Sequence, residues 1–385
     1  MIKCNKVIKV SNNEIFNMYF GIIEDPRCKV NVIHPLIDIL KLIMIAVLCG
    51  MDELDKIVDY GENKKDFLEK EFNIKLIPSK STITRVIAAL NPKWLSLSIV
   101  CILKTLIKDK VEQIMLDGKA IKSTDAIRTI ETMMNIVTAY TNTGISLGQI
   151  TVDSKSNEIP AVRELIEMLN IEGIVVTADA MHCQKETAEI IVKNKGDYVL
   201  QLKANQKGFY EDVYAMFDDK YINETDKECE YEIYRTQEKN HGRIETRTCY
   251  VLNEIAYFTD YIAEWKQLKK IFAVKREIEK NGKKTEEMSL YLSSKNTSAK
   301  NLLSYTRKHW EIEGMHHILD VTYDEDRCKL LTKRAQENIN IFRKMGVSIH
   351  KNYLKDKKQK IKSSMFNCLL NDKRLLEILQ FCNNR

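Results

Sequence analysis

The chain has 385 residues, 44% of them hydrophobic, with 60 basic and 54 acidic side chains, a formal charge of +6, and only 13 Gly and 5 Pro. That length exceeds the point at which a single core usually stops growing, so two or three structural units are expected, and the composition excludes a disordered or low-complexity chain. No apolar run of about 18 residues is free of charge, and the N-terminal MIKCNKVIKVSNNEIF has no signal-peptide core, so neither export nor membrane insertion is expected.

In chain order, residues 1–105 read as helical. LIDILKLIMIAVLCG at 36–50 carries Asp38 and Lys41 and predicts a buried helix. In PSKSTITRVIAAL at 78–90, Pro78 with Ser79 or Ser81 starts another helix, which suits either plain packing or a helix-turn-helix laid against a phosphate backbone.

From residue 111 the period changes. VEQIML predicts a strand ending at Asp117, and MMNIVTAYT and ISLGQITVD predict two more, joined by a turn through Asn142, Thr143 and Gly144. Pro160 opens an amphipathic helix, and IVVTA is a short buried strand ending at Asp179. A helix over 184–195 and a strand in DYVLQLK at 197–203 follow. Three strands, helix, strand, helix, strand predict a mixed α/β sheet, with the first three strands antiparallel and the rest joined by crossovers. Ligands collect at the strand ends of such sheets, so Asp117 and Asp179 would stand side by side if their strands are neighbours.

CEYEIYRT, RIETRTCYVL, KKIFAVKREIE and EEMSLYLSS then predict a mostly β segment. Helical periodicity resumes near 298, runs through Glu313, and continues in KLLTKRAQENINIFRKMGVSI. The stretch KDKKQKIK at 355–362 holds five lysines against one aspartate, which fits a polyanion partner or a solvated face. The ten cysteines are scattered without close pairs, so reduced thiols in a cytoplasm are expected. The marks of an ATPase, a nicotinamide oxidoreductase, a serine hydrolase and an HExxH zinc enzyme are absent from the sequence.

Asp117 in QIMLDGK, Asp179 in GIVVTADAM and Glu313 in RKHWEIEG each interrupt or end an apolar stretch. Converging carboxylates repel unless a hard divalent cation holds them, so a magnesium-dependent phosphoryl-transfer site is one reading. The other is that the aspartates merely end strands and Glu313 faces water. His309, Glu313 and His317, at i, i+4 and i+8, also raise a transition-metal site, but only the hard-ion reading accounts for the aspartates as well.

EDPR at 24–27 with His34 and Pro35, IPSKST at 77–82, LDGK at 116–119 and KSNEIPAVRELIEMLNIEG at 155–173 form an ordered set of motifs. It continues with TADAMHCQKETAEII at 177–191, LKANQK at 202–207, HGRIETR at 241–247 and RKHWEIEGMHHILDVTYDED at 307–326. With this set the chain resembles the ISAs1-type insertion-sequence transposases, DDE transposases related to the IS4 group. The resemblance implies an RNase H-like mixed five-stranded sheet with flanking helices, interrupted by a β-strand insertion, plus an N-terminal helical domain. The implied boundaries are 1–105 for a helical DNA-end-binding domain, 106–219 for the first catalytic part, 220–295 for the insertion, 296–350 for the second catalytic part with the glutamate, and 351–385 for a basic tail or helix.

The resemblance further implies that Asp117, Asp179 and Glu313 are catalytic and hold two Mg²⁺ ions, or Mn²⁺, with Asp117 bridging. The expected partners are double-stranded DNA, as terminal inverted repeats and as target, and a second copy of the chain when two ends are paired in a bacterial cytoplasm. His309 and His317 are expected to orient the glutamate from behind. Lys119, Lys122, Lys203, Asn205, Gln206, Lys207, His241, Arg243, Arg307, Lys308 and His316 are expected to contact DNA. Trp265 and Trp310 either stack on an extruded base or anchor a core. The chain departs from the family pattern at Gly314, where Asn is usual, at His317, where Trp is usual, and at Lys122, where Arg is common. A metal-dependent nuclease without strand transfer, and a catalytically impaired DNA-binding remnant, are the alternatives.

Overall fold

The computed structural model describes residues 11–28, 30, 32–106, 109–121, 134–152, 158–218, 222, 230–240, 242–328, 330 and 332–381. Lys122 and His241 lie outside the described residues.

Among the described residues six helices come first: α1 (Asn12–Phe20), α2 (Leu36–Leu48), α3 (Leu54–Asn63), α4 (Lys65–Phe72), α5 (Lys80–Ala89) and α6 (Pro92–Leu106). Ser79 caps α5, its hydroxyl accepting the Thr82 N–H. The apolar segment predicted as a buried helix is α2, buried from Ile39 to Leu48. Lys41 goes in with it because its Nζ donates to Asn13 Oδ1 at 2.6 Å and to the Phe72 carbonyl at 3.1 Å, which replaces the water it gives up.

Strands β1 (Gln113–Ile121), β2 (Met134–Thr141), β3 (Ser146–Val152), β4 (Val175–Ala178) and β5 (Asp197–Leu202) follow, with helices α7 (Glu158–Met168) and α8 (Lys185–Lys193) in the crossovers. Gly144, at φ +80°, takes the left-handed turn position between β2 and β3. Next come α9 (Lys207–Met216), β6 (Tyr231–Asn240), β7 (Arg243–Leu252), α10 (Thr259–Glu264), β8 (Lys270–Lys280) and β9 (Lys283–Ser293). The last helices among the described residues are α11 (Ala299–Tyr323), α12 (Lys333–Tyr353), α13 (Ile361–Leu370) and α14 (Asp372–Phe381).

Two expectations are corrected. The first strand does not end at Asp117; it runs to Ile121, because β2 continues to pair with it out to the Ile121↔Met134 position. The sheet is also not five-stranded. Among the described residues, nine strands form one mixed, mostly antiparallel sheet in the order β3-β2-β1-β4-β5-β9-β8-β7-β6. β5 would be an open edge in a five-stranded sheet, and β9 covers it antiparallel from Val199↔Ser293 to Leu202↔Leu290. The β insertion is therefore an extension of the sheet.

The two faces are sorted by strand alternation. Ile114, Leu116, Val176 and Ala178 pack with α7, α8 and α9 in one core, which also takes Trp265. On the other face, Met115 joins a large core in which α1 to α6 pack with Ile312, Met315 and Leu319 of α11 and with α12 to α14. Each fully buried Leu or Ile there contributes about 1.5–3 kcal/mol. Among the described residues no single helix is long and apolar enough to cross a membrane.

Candidate active site

β1 and β4 are parallel neighbours in the register Leu116↔Ala178, so the next residues along each, Asp117 and Asp179, stand beside one another. Both lie two residues beyond side chains of the α11 face, Met115 and Thr177, and so share that face.

α11 answers with a stripe at helical spacing: His309, Glu313, His316 and Asp320. His309 bridges β4, with Nδ1 2.9 Å from Thr177 Oγ1 and Nε2 3.2 Å from Asp179 Oδ1. His316 sets Nδ1 3.3 Å from Asp117 Oδ2. Thr177 is held in turn by the Gln113 amide at 3.1 Å.

Glu313 sits between these histidines. Burial, then the charges of Asp117 and Asp179, raise its pKa above the ordinary carboxylate value. The hydrogen bond to His309 lowers that of Asp179, against burial.

The histidine expectation needs correction. His316 is buried beside Asp117, His317 is exposed, and His309 orients Asp179 rather than Glu313. Helical geometry gives the reason: seven residues from His309 return within about 20° of the same direction, whereas eight leave a residue about 80° away.

Lys119 is also not free for a phosphate. Its Nζ ion-pairs with Asp320 and with Glu325, which is 1% exposed, and the second Glu325 oxygen accepts from Asn340 Nδ2 at 2.5 Å. Burial lowers the Lys119 pKa, but the two carboxylates outweigh it and the net shift is upward.

Asn205 and Gln206 are spent in part on the turn after Asp179. Their amides donate to the Ala180 carbonyl at 2.8 Å and the Cys183 carbonyl at 3.2 Å. Lys203 and Lys207 are exposed. Arg243 pairs with Glu245 at 3.1 Å, Arg307 forks onto Glu238 at 2.7 and 3.0 Å, and Lys308 borders a groove next to β6. Trp265 is a core anchor at 1% exposure, whereas Trp310 is exposed.

A cavity of about 610 Å³ opens between α11 and the sheet, reaching Asp179, Glu313, Lys203, Arg307 and Trp310. The insertion supplies its far wall with Arg247, Arg276, Glu287 and Tyr291, none singled out from the sequence because nothing there placed β7 to β9 on the same sheet. His182 was missed as well: it is buried three residues after Asp179, its pKa lowered by burial, with Nδ1 unpartnered. Its position in TADAMHC was the available signal. Gly118 is required by a close approach, since a Cβ there would come within 2.5 Å of Glu158 Oε2.

Among the described residues no three His, Cys, Asp or Glu side chains are gathered so as to hold a metal ion. The donor chemistry nevertheless suits a hard cation, because the charges of Asp117 and Asp179 add to burial in raising the pKa of a third carboxylate, Glu313.

The comparisons agree with this layout. The "Transposase DDE domain" family model matches residues 112–347, and a "DDE_Tnp_1-associated" model matches 18–100. The chain is 33% identical to "Putative transposase YncI" of Escherichia coli O157:H7 over 376 residues, 95% of this chain and 94% of that one. It is 34% identical to "H repeat-associated putative transposase YhhI" of Escherichia coli (strain K12) over 339 residues, 86% of this chain and 89% of that one. With a family model spanning the sheet, its insertion and the Glu313 helix, the chain belongs to the DDE transposase family.

Proposed function

We propose that this protein is an ISAs1-type, IS4-related transposase with an RNase H-like core, acting on DNA in a bacterial cytoplasm. It binds the terminal inverted repeats of its own element, hydrolyses phosphodiester bonds at the ends, and directs the freed 3′ hydroxyls onto target DNA. Bringing two ends together calls for at least two copies of the chain.

The observation that carries this reading is the side-by-side placement of Asp117 and Asp179, whose charges, after burial, hold the Glu313 pKa above its ordinary value. These three side chains would hold the divalent ions, Mg²⁺ or Mn²⁺. Bound there, such ions supply Lewis-acid charge at phosphorus and an acidified water, so no histidine base is required. His309 and His316 keep Asp179 and Asp117 oriented from behind, as outer partners of ligands do.

The test is incubation with end-containing duplex, target DNA and Mg²⁺ or Mn²⁺. Wild-type protein is expected to give cleaved ends and joined products. Asp117→Asn is expected to bind the duplex and to lose cleavage by about 10³-fold or more. Cleavage without joining would make the protein a nuclease, and binding without cleavage would make it a remnant. Wild-type cleavage rates from Asp117→Asn would remove the carboxylate assignment.

A further inference from the structure

The wall that the insertion contributes to the cavity has an unusual charge arrangement. Arg247 on β7 and Arg276 on β8 are direct cross-strand partners, a like-charge pairing that is unfavourable unless an anion lies between them. Glu245, buried, fills that role with one oxygen 2.5 Å from both guanidinium groups. It does not satisfy them fully: Arg247 Nη1 is buried with no hydrogen-bond partner and stands 3.7 Å from Glu238.

Glu238 belongs to β6, the outer edge of the sheet. It reaches out to Arg307 of α11 with both oxygens, at 2.7 and 3.0 Å, the fork geometry in which a guanidinium also takes a phosphate. Arg307, Arg247 and Arg276 all border the same cavity as Asp179 and Glu313. On its other side Arg307 borders a groove of about 520 Å³ together with Lys300 and Lys308. The basic groups thus form a track that runs from that groove into the cavity, which suits a polymer backbone better than a single small anion.

We propose that Arg247, Arg276 and Arg307 form a seat for one phosphodiester of the DNA strand entering the site, and that the Glu238 carboxylate holds this seat until the phosphate displaces it. The proposal rests on the transposase reading for the identity of the polymer. The mutual repulsion of Arg247 with Arg307 and Arg276, which helps to lower the Arg247 pKa beneath the larger effect of burial, is relieved by an added anion.

Binding is measured in chelator, so that no strand is cut, with a labelled duplex copied from the DNA flanking the coding region and with a scrambled duplex, over a range of salt. Glu238→Gln is expected to bind about two- to fivefold more tightly than wild type, since it removes an exposed competing carboxylate. Arg307→Gln is expected to weaken binding to both duplexes and to reduce the salt slope by about one. Arg307 and Glu238 are 39% and 46% exposed, so both variants should keep wild-type melting temperatures, which are recorded alongside. Unchanged or weaker binding by Glu238→Gln, or a wild-type salt slope for Arg307→Gln, overturns the proposal. So does an Arg307-dependent rise in melting temperature with inorganic phosphate when the duplex arms show nothing, because the site would then serve a free anion. If wild type binds but neither cleaves nor joins in Mg²⁺, the transposase reading falls while these comparisons stay readable.

Discussion

Two charged networks border α11, and they are finished in opposite ways. Toward its C-terminal end the charges close on one another: Lys119 pairs with Asp320 and Glu325, Asn340 donates to Glu325 with its own Oδ1 left unpartnered, and Lys344 behind them donates to Thr138 Oγ1 at 2.6 Å and Gln149 Oε1 at 2.7 Å. Toward the cavity, Glu313 is crowded by two like charges, and Arg247 keeps an unpartnered buried nitrogen. The closed network stabilises the contact between α11 and β1 that sets Glu313 near Asp117. The open one stores electrostatic cost that a cation or a phosphate would relieve, and that is where a ligand is to be sought.

The sharpest way to break this comparison is Lys119→Met. It leaves Glu325 buried without its cation, and the expected loss is about 3–5 kcal/mol in urea denaturation. Asp320, which is 40% exposed, should lose no more than about 1 kcal/mol on conversion to Asn. Equal effects would mean the network is not closed around Glu325.

Lys344 gives a second, smaller test on the same side. Burial lowers its pKa to about 7, while the unfolded chain keeps that proton to the ordinary lysine value of 10.5. Between those values the unfolded state binds more protons, so stability rises with pH. Wild type should gain about 1–3 kcal/mol relative to Lys344→Met between pH 7 and 9 in denaturation curves. A flat difference would mean the lysine does not change charge there.

The smallest effect tests the open side. Glu313 has a raised folded-state pKa, so its charge costs stability that appears as pH rises from the unfolded value through the folded one. Without metal, Glu313→Gln should melt about one or two degrees higher than wild type at pH 8, and the gap should close in acid. A variant that melts lower at pH 8 would show that Glu313 is not crowded.

Several features were legible from local pattern. The apolar periodicity of 36–50 marked α2, the Asn142-Thr143-Gly144 turn marked the β2–β3 hairpin, and IVVTA ending at Asp179 marked β4. The three acidic residues stood out because a carboxylate in an apolar run needs a reason. The motifs around them pointed to the family to which the chain belongs.

What local pattern could not carry was partnership across long separations. That β9 would cover β5 depends on an edge left open some 90 residues earlier, and no period in EEMSLYLSS records which strand it joins. The choice of His316 over His317 turns on a few tens of degrees around α11, visible only once the side facing the sheet is known. Lys119 looked like a phosphate contact until folding brought Asp320 and Glu325 to it from about 200 positions away. The amino-acid order specified the chemical groups and their helical or strand spacing, because those are local properties. Which groups neutralise one another and which remain open followed from packing distant segments together, because Coulomb energy depends on distance and burial in the folded chain.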